Sequence, residues 1–136
     1  MIDSNAALIT WLLQSAAIVA IIGDRISYPM LPESYDPVRD GLALVIKNRG
    51  GSADPEIPII RPSVQITAWA PENEGLKARE LYRAVWDHCH GKTNINLGEA
   101  GYVLSCLEEV QGQDVTDPDT GWAAVISCFR LTMRAA

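Results

Sequence analysis

The sequence predicts an α+β domain: a mainly antiparallel sheet of about five strands with two main helices packed on one face. One observation is the alternation of residues 63–70, which places Val64, Ile66 and Ala68 on one side of an extended segment. A second is the helical repeat of apolar residues at positions 78–89. The third is the predicted order, α-β-β-β-α-β-β, in which strands cluster before and after one helix instead of alternating with helices.

Length and composition limit the class of protein. The chain has 136 residues, the size of one domain, so we expect a single domain over residues 1–136. Its 17 acidic and 11 basic residues give a net charge of −6, which argues against nucleic-acid binding through clustered Lys and Arg. Cys89, Cys106 and Cys128 lack C-x-x-C spacing and lie in apolar patterns, so we interpret them as buried thiols.

The N-terminal segment, residues 6–22, is strongly apolar and could span a membrane or form part of the core. Polar residues interrupt it, its length is at the short limit for a span, and a positively charged flank is missing. We therefore expect no membrane insertion. The core interpretation is a helix capped by Ser4 or Asn5, then a short helix that Ser15 caps and Gly23 ends.

The following residues predict two strands and two loops. Residues 25–28 indicate a short edge strand that Pro29 ends, and residues 42–47 indicate a buried central strand. The acidic, proline-containing residues 31–40 are typical of an exposed loop. Residues 48–62 form the second predicted loop, and loops of that length are usually functional or mobile.

The strand of residues 63–70 leads into the main helix. Pro71 suits the first turn of that helix, and Gly91 is expected to end it. Residues 93–101 then form a turn-rich connection. The apolar stripe of the helix comprises Ala78, Leu81, Tyr82, Val85, Trp86 and Cys89.

The C-terminal part predicts an antiparallel hairpin. Residues 102–110 and 122–134 are its strands, and the polar residues 111–121 are the turn between them. In the last strand we expect Phe129 and its alternate neighbours on one face, and Cys128 and Arg130 on the other.

Residue types used in catalysis crowd together at Asp87, His88, Cys89 and His90. Neighbouring residues on a helix point about 100° apart, so these side chains cannot converge on one metal ion. Cys89 falls on the core stripe, whereas His88 and His90 are expected to diverge toward solvent or the helix end.

Two other patterns also fail to predict a site. The glycine pair at positions 50–51 precedes a predicted loop instead of a helix, so no phosphate cradle is indicated. Asp114, Asp117 and Asp119 depart from the spacing of a calcium-binding loop. We expect no catalytic, cofactor-binding or metal-ligating residues, and no enzyme activity.

Four short motifs in a fixed order give the chain a family resemblance. They are Gly23-Asp24-Arg25-Ile26 after an alanine-rich start, Pro62-Ser-Val-Gln-Ile-Thr-Ala-Trp69, a helix of the form Ala78-x-x-Leu81-x-x-x-Val85, and Asp117-x-x-Thr-Gly-Trp122. With these motifs the chain resembles the tail-completion, or tail-terminator, family of long-tailed bacteriophages and related gene-transfer particles. The resemblance spans nearly the whole chain, but residues 49–60 match no motif of the family.

The resemblance implies a structural role in the virion, at the junction of tail and neck, after synthesis in the host bacterial cytoplasm. Members form a hexameric ring on the head-proximal end of the tail tube and stop its polymerisation. The implied partners are other copies of the chain, the tail tube protein and the head connector or stopper protein. DNA passes through the ring without specific binding, and no cofactor is implied.

Two sets of residues are candidates for these contacts. We expect residues 48–60 to reach a neighbouring subunit or the tube through Arg49, Gly50, Gly51, Asp54, Glu56 and Ile57. We expect acidic residues to line or rim the channel, where their charge would repel DNA. These are Glu108, Glu109, Asp114, Asp117 and Asp119.

Three other interpretations stay open. The chain could be a head-side connector, a stopper or a tube-forming subunit. It could instead be a small acidic module that binds a partner protein. As an enzyme, it would use Cys89 with His88 or His90.

Overall fold

The computed structural model describes residues 1–136 as one six-stranded sheet with helices packed against it. The strands are Ile26–Ser27 (β1), Ala43–Ala53 (β2), Ile59–Glu72 (β3), Thr93–Asn96 (β4), Tyr102–Thr116 (β5) and Trp122–Arg134 (β6). The helices are Ser4–Leu12 (α1), Ala16–Ile22 (α2), Pro37–Asp40 (α3) and Gly75–Cys89 (α4), with a 3-10 turn at Gly98–Ala100.

The predicted α+β class is confirmed, although the numbers of strands and helices differ. The sheet has the order β1-β2-β3-β6-β5-β4, and all its pairs are antiparallel except β1 with β2. The sixth strand is β4, which lies where a turn-rich connection was expected. Its backbone pairs with the start of β5, for example Ile95 with Val103, and that pairing is invisible in the local sequence.

The N-terminal helices belong to the core, as expected. Asp3, not Ser4 or Asn5, caps α1, because its carboxylate accepts hydrogen bonds of 3.1 Å from the amides of Asn5 and Ala6. The short helix α2 is capped by Ser15, as predicted. No single helix is long and apolar enough to cross a membrane, and α1 with α2 meets the length and composition only as a pair bent by 93°.

Helix α4 packs its apolar stripe on the sheet but starts later than expected. Pro71 remains in β3, at an irregularity in the β3–β6 register, and such bulges tolerate proline. The helix therefore begins at Gly75. The expected stripe is buried except for Trp86, which is 37% exposed. Instead of entering the core, Trp86 stacks on His90 with ring centroids 4.5 Å apart.

The core lies between the sheet and the helices α1, α2 and α4. The alternation of β3 and β6 is confirmed, because Val64, Ile66 and Phe129 are at most 2% exposed. The strand Trp122–Arg134 has the predicted bounds. These strands share one register, with Val64 paired to Phe129, so the same face of each supplies the core.

Residues 31–40 are not simply an exposed loop. They include α3 and bring Tyr35 edge-on to Trp122, with ring centroids 5.7 Å apart. Trp122 alternates with core-facing Ala123, so this contact covers one end of the sheet face opposite the helices. Thr67, on the same face, is only 4% exposed.

Two predicted loops are mostly strand. Residues 48–62 form the outer part of the β2–β3 hairpin, which continues to the pair Ala53–Ile60 after a register shift between Asn48 and Gly51. Residues 111–116 continue β5, so the β5–β6 turn contains only residues 117–121. In both segments the backbone N–H and C=O groups form hydrogen bonds with a neighbouring strand. This pairing makes strands of residues whose glycine and polar side chains are typical of loops.

Candidate functional site

The tip of the β2–β3 hairpin is a tightly hydrogen-bonded turn. The carboxylate of Asp54 accepts bonds from the amides of Glu56 (2.9 Å) and Ile57 (3.0 Å), and these bonds lower the pKa of Asp54. Ile57 is 48% exposed at the tip. Ile59 pairs with Arg134, the last residue of β6. The hairpin tip therefore projects beyond the end of that strand. It presents an apolar side chain beside carboxylates.

The base of the hairpin is fixed by Gly51 and Arg49. Gly51 has φ +135°, and a Cβ atom there would lie 2.1 Å from the carbonyl oxygen of Arg61, so only glycine fits. The guanidinium of Arg49 reaches across the sheet and donates to the sulfur of Cys128 at 2.8 Å. Gly50 has nothing near its missing Cβ. The predicted interface residues therefore lie on an ordered hairpin, not on a flexible loop.

The sheet face opposite the helices, here called the open face, is basic beside this hairpin. Ser63 pairs with Arg130, and Tyr102 pairs with Arg134, all on the side away from the core. The basic residues of the open face, called the basic patch, are Lys47, Arg49, Arg61, Arg130 and Arg134. The patch thus holds five of the 11 basic residues of a chain whose net charge is −6.

A groove of about 380 Å³ runs through the basic patch. Arg61, Ser63, Glu109 and Arg130 line it, together with hairpin backbone at Gly51. Glu109 is bound to Arg130 at 3.1 Å and to the Ser63 hydroxyl at 3.2 Å. No ion pair engages Arg61, so its charge is available to a partner.

Two apolar side chains border the groove. Leu107 pairs with Arg130 and Val110 pairs with Cys128, so both face outward from the open face. Leu107 is 55% exposed and Val110 is 47% exposed. Apolar side chains beside arginines are typical of protein–protein contacts.

The predicted acidic residues do not form one surface in the isolated chain. Glu108 faces the helices and accepts a hydrogen bond from the Tyr82 hydroxyl. Asp114 also lies on that side and pairs with Arg79 at 3.1 Å. Glu109, by contrast, lies on the open face, because adjacent strand residues point to opposite sides.

The remaining two acidic residues lie in the β5–β6 turn. Asp117 is occupied locally, since its carboxylate accepts bonds from the amide and hydroxyl of Thr120. Asp119 is exposed and has no ion pair. Glu72 lies beside this turn, close to Gly121. One end of the sheet is therefore acidic, whereas the basic patch lies on the open face toward the hairpin, whose tip carries Asp54 and Glu56.

The residues between positions 87 and 90 have structural partners. Cys89 is 1% exposed, and its hydrogen bond to Cys106, with burial, raises its pKa well above the usual value. His88 Nε2 lies 2.8 Å from the carbonyl oxygen of Trp11, and His90 Nδ1 accepts from the amide of Glu108 at 3.0 Å. Both histidines are half-buried: His90 lies at the helix end, one of the two expected positions, whereas His88 packs against α1.

The side chains that could bind a metal ion are also dispersed. No three His, Cys, Asp or Glu side chains are grouped so that they could hold an ion. The positions predicted for protein contact form the candidate site.

Comparison with known proteins shows a likeness in structure but not in sequence. The sequence matches no family model and no curated protein. The structure is similar to a chain in the solved structure "Virion of native gene transfer agent (GTA) particle", with a TM-score of 0.64. The match covers 96% of this chain and 97% of that one at 13% sequence identity. The two chains share a fold.

The sequence alone did not predict that the residues of the basic patch form one surface. The alternation of β6 did place Arg130 on the outer face, next to Cys128. What the sequence did not reveal is that Lys47, Arg61 and Arg130, from three different strands, lie on one open surface. That grouping depends on the order β2-β3-β6 in the sheet.

Proposed function

We propose that the chain is a structural protein of a phage-like virion or gene-transfer particle and acts there as a tail terminator. In this role a hexameric ring of the chain caps the head-proximal end of the tail tube and ends its polymerisation. The ring then joins the tail to the head connector or stopper, with DNA passing through its centre. The observation that carries the proposal is the fold likeness to a chain of a gene-transfer-agent virion, which extends over both chains almost completely.

The contacts described above support a role in assembly over a role in catalysis. Cys89 is buried with a raised thiol pKa, and a reactive thiol needs a lowered pKa and access to substrate. His88 is held against α1. The enzyme alternative therefore lacks an accessible thiol with a lowered pKa at this position.

The β2–β3 hairpin is the part of the chain best suited to reach another protein. It projects past β6 and ends in exposed Ile57, which is flanked by Asp54 and Glu56. We propose that this tip contacts the neighbouring subunit or the tail tube. Its backbone is already ordered, which lowers the entropic cost of binding.

The test is electron microscopy of the protein mixed with purified tail tubes. A chain in which residues 54–59 are replaced by Asn-Gly keeps the pair Ala53–Ile60, because two-residue turns suit such hairpins. We expect this variant to remain folded by circular dichroism but to leave tube ends bare. The wild-type chain should cap them.

A point variant gives a matched control. Ile57→Ser removes the apolar tip, whereas Val38→Ser removes a more exposed apolar side chain from α3, 78% exposed, away from the hairpin. Capping of the tube ends should weaken only with the Ile57→Ser variant. Bare tube ends with the wild-type chain would refute the terminator role, and wild-type protein bound solely to head connectors would assign it to the head side of the neck.

A further inference from the structure

The basic patch on the open face and the far end of the sheet carry opposite charges. At one end lies the basic patch, with five of 11 basic residues and, in its groove, one of the 17 acidic residues, Glu109. At the other end Glu72 and Asp114 line a cavity beside the start of α4, and Asp117 and Asp119 lie in the β5–β6 turn; these four residues are called the acidic end, and Arg79 pairs with one of them, Asp114. Nearly half of the basic residues of a chain with net charge −6 therefore lie on one surface.

Within one molecule these charges cannot neutralise each other. Arg61 and Glu72 both belong to β3 and are separated by most of its length, which at ~3.3 Å per residue is about 35 Å. That separation exceeds the Debye length of ~8 Å at physiological ionic strength several times. Lys47 and Arg61 in the basic patch, and Glu72 and Asp119 at the acidic end, have no ion-pair partner in the chain.

Each of the two surfaces carries a groove. The groove of the basic patch measures about 380 Å³, and a second cavity of about 330 Å³ at the acidic end is lined by Glu72, Asp114 and Gly121. Leu107 and Val110 beside the basic groove offer apolar surface as well. This combination favours a protein partner over a nucleic acid, because phosphates gain nothing from exposed aliphatic side chains.

We infer that the basic patch binds the acidic end of a second copy of this chain, in a head-to-tail contact. Since one surface meets a different surface on the next copy, the contact is heterologous, and repetition of it closes a ring when the rotation allows. The inference rests on the proposed function for the size of that ring. It adds which surfaces meet: Lys47 and Arg61 face the unpaired Glu72 and Asp119 of the neighbour.

The experiment reverses each surface separately and then mixes the two variants. The first variant carries Lys47→Glu and Arg61→Glu, and the second carries Glu72→Lys and Asp119→Lys. Alone, each presents like charges to its own copies, so we expect self-association, measured by sedimentation and electron microscopy, to need at least about tenfold more protein. In an equimolar mixture every contact between unlike copies pairs opposite charges, and rings with alternating subunits should return.

Control variants change the net charge equally at other exposed positions. Arg83→Glu with Lys92→Glu matches the first variant, and Glu80→Lys with Glu99→Lys matches the second. These controls should assemble like the wild type, and circular dichroism should show all variants folded. Wild-type assembly should also weaken in high salt, since salt screens attraction between exposed charges.

Several results would overturn the inference. They are reversed variants that assemble like the wild type, a mixture that fails to restore rings, and a wild-type chain that stays monomeric at high concentration and on tail tubes. Tight binding of a short DNA duplex that the first variant loses would reassign the patch to nucleic acid. Wild-type rings that form in solution but ignore tail tubes would refute the terminator role alone, and unaffected capping by both variants would refute the charge pairing alone.

Discussion

The hydroxyl of Tyr82 joins helix α4 to strand β5, and Tyr82→Phe tests this junction by removing one oxygen atom. The hydroxyl donates to the carboxylate of Glu108 and accepts from the amide of Gly112 at 3.0 Å. Burial, followed by the bond to Glu108, raises the pKa of Tyr82, so the hydroxyl stays protonated as a donor. The substitution leaves the ring, which is 6% exposed as part of Tyr82, in its place.

The expected cost follows from the two lost bonds. A hydrogen bond to a charged group contributes ~1.5–3 kcal/mol, and an amide left without a partner costs ~1–3 kcal/mol when buried. Glu108 and Gly112 are half-buried, so hydrogen bonds to water offset part of this free-energy cost. We expect a loss of about 2 kcal/mol in the free energy of unfolding. With an unfolding entropy of about 0.3 kcal/mol/K for a chain of this size, Tm should fall by about 7 °C.

Thermal and urea unfolding followed by circular dichroism measure this loss. Tyr102→Phe is the matched control, because the Tyr102 ring lies against Arg134 and its hydroxyl makes no hydrogen bond in the chain. Its stability should stay within about 0.5 kcal/mol of wild type. Glu108→Gln keeps an acceptor without the charge and should fall between the two. Equal losses for both tyrosine variants, or no loss for Tyr82→Phe, would refute the account of this junction.

Two further predictions concern the open face. Burial raises the pKa of Tyr35 from 10.0 to about 12, so its stabilising contribution is present below pH 10 and is lost as pH rises toward 12. The urea midpoint should therefore fall more steeply over this range in wild type than in Tyr35→Phe, and parallel curves would contradict the shift. Gly51→Ala should destabilise the chain by about 2–3 kcal/mol through strain and the clash with Arg61, against about 1 kcal/mol for Gly50→Ala, which meets no atom. Equal unfolding free energies for the two alanine variants would show that the hairpin accommodates the clash.

Elements whose limits are set by local signals could be predicted from the sequence. Ser15 and Gly23 bound α2 because one caps its first turn and the other adopts positive φ after its last. The alternation of β6 identified its core face along its whole length. Here the residues that decide the structure are neighbours along the chain.

Elements whose limits depend on distant pairing could not be predicted. Gly50 and Gly51 are typical of a loop, yet β2 passes through them because β3 satisfies its backbone across a bulge. Pro71 suits a helix start, but the irregular register with β6 lets it end a strand instead. Trp86 fits the helical stripe by spacing, but in the folded chain it stacks on His90 and stays partly exposed.

The candidate site shows the same division. By itself the sequence determined the α+β class, the core faces of the main strands and the position of the hairpin residues along the chain. The tertiary structure alone decided that the predicted acidic residues separate and that Lys47, Arg61 and Arg130 meet. The physical reason is that burial follows the local period of a strand or helix, whereas the neighbours of a surface charge are set by the order and register of strands that are far apart in the sequence.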